Sequence, residues 1–266
     1  MNIKDENGND FTLRTCHLRM LPKNLWGIAA KNAIDANPLN RIPFESYISA
    51  TISDSIERER LSVMTQKYWR SGGVLLTVGF LDNPSSELRT KILAHMNAWS
   101  KSANVSFTES DANQQVRITR LDGDGHWSYL GTDILSIPSN RATMNLDSFT
   151  INTPDSEFYR VVRHEAGHTM GFPHEHMRRE LVSKLDIDKA IKFYGETQGW
   201  TKEEVYQQVL IPLEDNSIFG TSNADSESIM CYQLPGTITN DGNPIIGGLD
   251  INEQDYEFAA KVYPKK

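Results

Sequence analysis

The sequence predicts an α+β fold, with one substantial domain preceded by an N-terminal extension. Three observations lead to this prediction. Short apolar or alternating runs that are typical of strands lie between residues 74 and 146, and amphipathic helices are spaced among and after them. The chain beyond residue 174 is mostly irregular. A length of 266 residues allows one such domain with an extension, or two small domains.

The composition argues against several classes of protein. The net charge is −8 and no basic run occurs, which argues against nucleic acid as a partner. No apolar run approaches the 18 or so residues that would span a bilayer. The stretch from Met1 to Gly8 lacks the basic end and the apolar run of a secretory signal. Two cysteines, Cys16 and Cys231, do not make a disulfide framework, so a core must supply the stability.

Residues 1–68 are predicted to form the N-terminal extension. A helix is expected from about Leu25 to Ala36, because Asn37-Pro38 would end it. The charged stretch from Asp54 to Arg60 is a second helix candidate. Ser71-Gly72-Gly73 then interrupts the pattern, and we place the boundary there.

Strand and helix patterns alternate in the middle of the chain. Val74 to Phe80 is typical of a buried strand, and Ser86 to Ser100 repeats apolar residues at helical spacing. Further short strands are predicted at Asn104–Phe107, Gln115–Thr119 and Arg141–Leu146. Asp122 to Gly125 is predicted to be a plain turn, because it lacks the other spaced oxygen ligands of a calcium loop.

Three helices are expected in the second half of the chain. The first runs from about Asp155 to Met170, because Thr153-Pro154-Asp155 is a typical helix start with proline in the first turn. The others are expected at about Lys202–Leu210 and Asn252–Val262.

The first of these helices carries residues that suit a metal. His164 and His168 are four apart, so they share a helix face with Cβ atoms about 5–6 Å apart, and both can reach one zinc ion. Gly171 can end the helix with a positive φ, which lets His174 supply a third ligand. Glu165 follows the first ligand and can hold a water molecule at the metal. Three ligands and one open position indicate a catalytic zinc site.

Chance does not explain this pattern. In a chain of this composition, the full spacing of three histidines, glutamate and glycine is expected about two times in a hundred thousand. Histidines that were simply buried in a core would each need hydrogen-bond partners on one helix face. A shared metal satisfies them more simply.

The stretch from His164 to His174 resembles the signature of the metzincin zinc proteases, and more specifically that of the astacin family. Glu175, His176 and Arg178 match the extended motif of that family, and Ser228 to Tyr232 resembles its Met-turn. Less specific matches occur at Trp69–Val74, Trp127–Gly131 and Gly248–Ile251, and at Tyr263. The resemblance covers Trp69 to Tyr263.

This resemblance implies a metzincin-type catalytic domain in residues 69–266. Its upper part, about 69–174, would hold a twisted, mostly parallel sheet and the active-site helix. Its lower part, about 175–266, would be an irregular C-terminal subdomain across a zinc cleft. Asn104 and His126 fall near the places where family members carry half-cystines, and Cys231 replaces a histidine that is common in the Met-turn.

The resemblance also implies the role of each site residue. His164, His168 and His174 would bind Zn²⁺, and Glu165 would act as general base and later as acid. Tyr232 would be an extra zinc ligand that swings away to hydrogen-bond the tetrahedral intermediate. Met230 would form an apolar floor below the metal, where a plain core methionine is the alternative.

The implied function is that of a zinc-dependent endopeptidase with a protein or peptide as its substrate. The extended substrate would add to an edge strand, for which Arg141–Leu146 is the candidate. Most members of the family work outside the cell. Two alternatives stay open: a catalytically unused metzincin-fold binding protein and a zinc hydrolase that acts on something other than peptides.

Residues 1–68 are a candidate prosegment. In astacins, the acid after the third histidine, here Glu175, pairs with an amino terminus that is freed when a prosegment is cut away. The Phe-x-Gly-Asp motif with which family prosegments block the zinc is absent, but Cys16 offers a thiolate as a different blocker. The alternative is that Cys16 is a small buried hydrophobe.

Overall fold

The computed structural model confirms the α+β class. It describes residues 2–4, 10–12, 16–41, 66–70, 72–212, 224–231 and 233–265. The predicted helix candidate at Asp54–Arg60 lies outside the described residues. None of the helices in the described ranges is both long and apolar enough to cross a membrane.

Eight strands are described, in two sheets. They are β1 (Asn2–Lys4), β2 (Asp10–Thr12), β3 (Cys16–Arg19), β4 (Val74–Phe80), β5 (Val105–Glu109), β6 (Val116–Thr119), β7 (His126–Tyr129) and β8 (Met144–Asn145). Strands β1 and β2 form an antiparallel pair. The other six form one sheet in the order β3-β7-β8-β6-β4-β5, in which only the β7–β8 pair is antiparallel. The predicted mostly parallel sheet is therefore confirmed.

The α-helices of the described ranges fall mainly where the sequence predicts them. They are α1 (Trp26–Ala36), α2 (Ser86–Met96), α3 (Asp155–Glu157 continued by Phe158–Val162 and Arg163–Met170), α4 (Arg179–Val182), α5 (Ile187–Gln198), α6 (Lys202–Val205 continued by Tyr206–Leu210) and α7 (Glu253–Val262). The middle turn of α3, Phe158–Val162, is π-helical. Helix α5 was not predicted, although Ile187, Ile191 and Tyr194 recur there at helical spacing.

One prediction is wrong. Within the predicted strand Arg141–Leu146, only Met144–Asn145 is a strand, and it lies between β7 and β6 in the interior of the sheet. An interior strand has both edges paired, so it cannot accept a substrate strand. The outer strands of this sheet are β3 and β5, and β3 belongs to the N-terminal extension.

The described residues form two hydrophobic cores. The first packs the sheet against α2, α3 and α7, and it also contains Ile229 and Met230. The second consists of residues from the range 181–245 together with Cys16 from the N-terminal extension. Tyr68 is also buried in the first core.

Candidate active site

A turn at the end of α3 brings the third histidine back toward the other two. Gly171 ends the helix with φ at 100°, in the left-handed region that glycine tolerates best. The amide of Phe172 then donates to the carbonyl of Gly167 at 3.0 Å. A Cβ atom on Gly171 would lie 2.9 Å from the carbonyl oxygen of Lys67. Both the backbone angle and this close approach therefore require glycine before His174.

The three histidines converge on one point. The Nε2 atom of His174 lies 2.9 Å from Nε2 of His168 and 3.3 Å from Nε2 of His164. Two nitrogens bound to one tetrahedral zinc at about 2.0–2.1 Å are about 3.3 Å apart. The separations in the structure are therefore close to those of a shared metal ion.

Hydrogen bonds fix which ring nitrogens face the centre. The Nδ1 atom of His164 donates to the carbonyl of Ile229 at 2.6 Å, and Nδ1 of His168 donates to the carbonyl of Phe172 at 2.8 Å. These bonds place a lone pair on Nε2 of both rings. A proton on Nε2 of His174 can be donated to only one of the other two Nε2 atoms at a time, whereas one cation can bind all three Nε2 atoms. The residues therefore fit a metal ion.

The surroundings keep these imidazoles neutral, which is the form that binds metals. Burial lowers the pKa of His164 to about 4, and burial lowers the pKa of His168 well below its ordinary value. All three rings are buried.

Cys16 is a fourth member of this cluster. Its sulfur and one ring nitrogen from each of His164, His168 and His174 all lie within 4.8 Å of one another. Strand β3 places it there by pairing in parallel with β7, so that Cys16 stands opposite His126. Burial, followed by the negative charge of Glu165, raises the pKa of the Cys16 thiol well above its ordinary value. A bound cation has the opposite effect and deprotonates a coordinating thiol.

Glu165 is fully buried beside this cluster. Neither of its carboxylate oxygens accepts a hydrogen bond from a nitrogen or hydroxyl group in the described part of the chain, and its polar neighbour is the Cys16 thiol. Burial raises its pKa to about 8. A buried carboxylate without a nitrogen or hydroxyl donor costs stability, so its position indicates a functional role.

The predicted Met-turn packs beneath the helix. A Cβ atom on Gly167 would lie 2.5 Å from the sulfur of Met230, which shows how closely this methionine approaches α3. Tyr232 lies outside the described residues, so its predicted role stays a prediction.

The sequence did not indicate two other features near the cluster. A small, partly open cavity has Arg160, His126 and Glu165 in its wall, together with Cys16. Arg160 forms two hydrogen bonds to Glu157, at 3.1 and 2.8 Å. The second feature is Asp255, whose buried carboxylate contacts the Met-turn. Asp255 is far from the motif in the sequence, so no local signal marked it.

Comparisons with known proteins identify relatives of this chain. The model of the Astacin peptidase family matches residues 62–256. Zinc metalloproteinase nas-27 of Caenorhabditis elegans is 27% identical over 244 residues, which are 90% of this chain and 51% of that protein. Tolloid-like protein 1 of Mus musculus is 25% identical over 230 residues, which are 80% of this chain and 21% of that protein.

Solved structures show the same relationship. A structure of myroilysin has a TM-score of 0.70 and 32% identity, and the match covers 75% of this chain and 97% of that one. The hatching enzyme HCE-1 of the medaka fish Oryzias latipes, a zinc protease, has a TM-score of 0.52 and 18% identity. This match covers 75% of this chain and 96% of that one. At that identity the second likeness shows the fold alone.

The fold, the histidine cluster and these matches define a class of protein, the astacin-like metzincins. Within that class, the family model covers most of the chain. The chain belongs to the astacin family, and its cofactor is Zn²⁺. The chain spans about half the length of the first curated relative and about a fifth of the second.

Proposed function

We propose that this chain hydrolyses peptide bonds, with His164, His168 and His174 as the zinc ligands and Glu165 as the general base. The convergence of three Nε2 atoms beside a buried carboxylate is the observation that carries this proposal. When bound, Zn²⁺ lowers the pKa of a water molecule and polarises the carbonyl group that it attacks. Protein or peptide substrates follow from the peptidase family.

Glu165 takes the proton from the attacking water and later delivers it to the leaving amine. A carboxylate whose pKa lies near the operating pH can both accept and return a proton, and burial raises the pKa of Glu165 from its ordinary acidic value toward that range. We assign the Tyr232 hydroxyl to the oxyanion of the tetrahedral intermediate, where a hydrogen bond would favour the transition state.

We also propose that residues 1–68 are a prosegment that keeps residues 69–266 inactive. Two contacts support this. The sulfur of Cys16 lies within the histidine cluster, where a thiolate would take the position that a catalytic zinc site keeps open. Strand β3 covers β7, and removing β3 would leave β7 as the edge to which an extended peptide can add. By resemblance to the family, the processed enzyme acts outside the cell.

The two alternatives are less well supported. A binding protein that no longer used the site would have no need for a buried glutamate without a nitrogen or hydroxyl donor. A hydrolase that acts on other bonds would share the metal chemistry, but the family is a family of peptidases.

The test is digestion of an unfolded protein by the zinc-loaded chain beside Glu165→Ala, with intact masses recorded over time. We expect cleavage only by the unaltered chain, after it loses about the first 68 residues. Glu165→Ala should retain zinc while its turnover falls by about 10²–10⁴-fold, because the base is removed and the ligands remain. Equal cleavage by both proteins would remove Glu165 from the mechanism. No cleavage by either protein, even when trimmed to Trp69, would favour the alternatives.

A further inference from the structure

Asp255 is a buried carboxylate on α7 that accepts hydrogen bonds from the Met-turn. It lies in the first turn of α7 and is only 7% exposed. Its Oδ1 accepts a hydrogen bond from the Ser228 hydroxyl at 2.5 Å, and its Oδ2 accepts one from the amide of Ile229 at 2.9 Å. The amide of Asn252 also donates to Oδ2, at 3.0 Å. Three donors therefore converge on this single side chain, two of them from the Met-turn.

The hydrogen bond from Ser228 to Asp255 also fixes the orientation of the Ile229–Met230 peptide group. The Ser228 hydroxyl donates its hydrogen to Asp255. Its oxygen can therefore accept a second hydrogen bond, and it accepts one from the amide of Met230 at 3.0 Å. The carbonyl of Ile229 and the amide of Met230 belong to one planar trans peptide, so they point in opposite directions. Fixing the Met230 amide toward Ser228 therefore fixes the Ile229 carbonyl on the other side.

The Ile229 carbonyl is the group that orients a proposed zinc ligand. It accepts the Nδ1 hydrogen of His164 at 2.6 Å, which leaves the lone pair on Nε2 to face the metal. The partner of the second ring nitrogen sets the tautomer and the ring position of a metal-binding histidine. In this chain that partner is a peptide group, and Asp255 and Ser228 together decide how the peptide group is turned.

We propose that Asp255 is a positioning residue for the zinc site, acting through Ser228 and the Ile229–Met230 peptide on His164. The proposal rests on the proposed zinc ligands and adds a residue outside the histidine motif. It predicts that the stability of zinc binding depends on a helix that lies about 80 positions or more beyond the ligands in the sequence.

Asp255 also takes part in the cap of α7, and an experiment must separate this role from the proposed positioning of His164. The side chain of Asn252 accepts the amide of Asp255 at 2.8 Å, and the reciprocal bond from the Asn252 amide completes a capping box at the start of α7. If this cap were the whole role of Asp255, its loss would weaken α7 without a specific effect on zinc. Asn252→Ala is the control, because it removes the side chain of the cap, together with its hydrogen bond to Asp225, and leaves the Asp255 carboxylate facing Ser228 and Ile229.

The experiment follows the transfer of zinc from the full-length, zinc-loaded chain to a chromophoric chelator, with thermal unfolding recorded for each variant. Asp255→Asn keeps the size of the side chain but offers one acceptor oxygen to three donors. We expect it to shorten the half-life of bound zinc by roughly 10–100-fold, which is typical when a group that orients a ligand is lost. Asn252→Ala should lower Tm comparably while zinc release stays within about twofold of the parent.

Ser228→Ala gives an independent arm that does not require the Asp255 variant to fold. We expect the same acceleration of zinc release, and the double variant should release zinc no faster than either single one, because both act in one path. Parental zinc release by both Asp255→Asn and Ser228→Ala, or equal acceleration by Asn252→Ala, would overturn the inference. A parental chain that holds no zinc would overturn the proposed ligands as well, so the two failures differ.

Discussion

Cys16 and Cys231 are both buried and neither forms a disulfide in the described part of the chain, but only Cys16 lies with the three histidines. Cys231 follows Met230 in the Met-turn, and burial raises its pKa above the ordinary range of a thiol. The two side chains therefore share their residue type and their burial, and they differ in whether they can reach the metal. This difference makes them a matched pair for testing latency.

Cys16→Ser in the unprocessed chain should raise peptidase activity by at least about tenfold, because a hydroxyl is a poor zinc ligand and the open position would be restored to water. Cys231→Ser should leave the latency of the unprocessed chain unchanged. The measurement is the rate of peptide cleavage by each variant before any loss of mass. Unchanged activity of Cys16→Ser would show that Cys16 is a packed hydrophobe.

At the scale of single elements, the end of α3 determines whether the third histidine can join the first two. Gly171 and Gly199 both end a helix with a positive φ, at 100° and 69°. They differ in their surroundings. A Cβ atom on Gly171 would meet the Lys67 carbonyl oxygen at 2.9 Å, whereas no heavy atom lies within 4 Å of one on Gly199.

We expect Gly171→Ala and Gly199→Ala each to lower the free energy of unfolding by about 1–2 kcal/mol, because alanine disfavours the left-handed backbone conformation. Gly171→Ala should lose more, because its neighbour is backbone that must shift, and it should also weaken zinc retention by moving His174. Thermal unfolding and zinc release of both variants provide the measurement. Equal Tm values with parental zinc retention in both would show that the close approach to Lys67 does not hold the turn.

The same elements show what the sequence could predict. The histidine spacing and the stop at Gly171 are local, so the convergence of the three rings was predictable within one helix and its turn. Val74–Phe80 was predicted with correct bounds because a continuous apolar run marks a strand, although Leu75 on one face of that strand is exposed. The edge position assigned to Arg141–Leu146 was wrong because order in a sheet depends on partners that are distant in sequence. Asp255 was missed for the same reason.

At the scale of the whole molecule, residues 16–41 of the N-terminal extension contact the rest of the chain at several places, and two of these attachments can be disrupted separately. One attachment is at the histidine cluster, through Cys16 and the pairing of β3 with β7. The other is near the start of the catalytic part. Asn40 donates to the carbonyl of Tyr68 at 2.8 Å and accepts its amide at 3.1 Å, and Asn37 donates to the carbonyl of Trp69 at 2.8 Å. The first attachment includes a candidate metal ligand, whereas the second combines these hydrogen bonds with the packing of α1 against residues 131–136.

This arrangement predicts that cutting the chain between residues 41 and 66 does not by itself release the extension. The fragment should co-elute with the catalytic part in gel filtration, because each attachment raises the effective concentration of the other. Removing zinc should speed its release by weakening one attachment, and Asn40→Ala should do so by weakening the other. The two changes together should act more strongly than either alone. Immediate loss of the fragment on cutting, with zinc present and Asn40 intact, would show that the covalent link is what holds the extension in place.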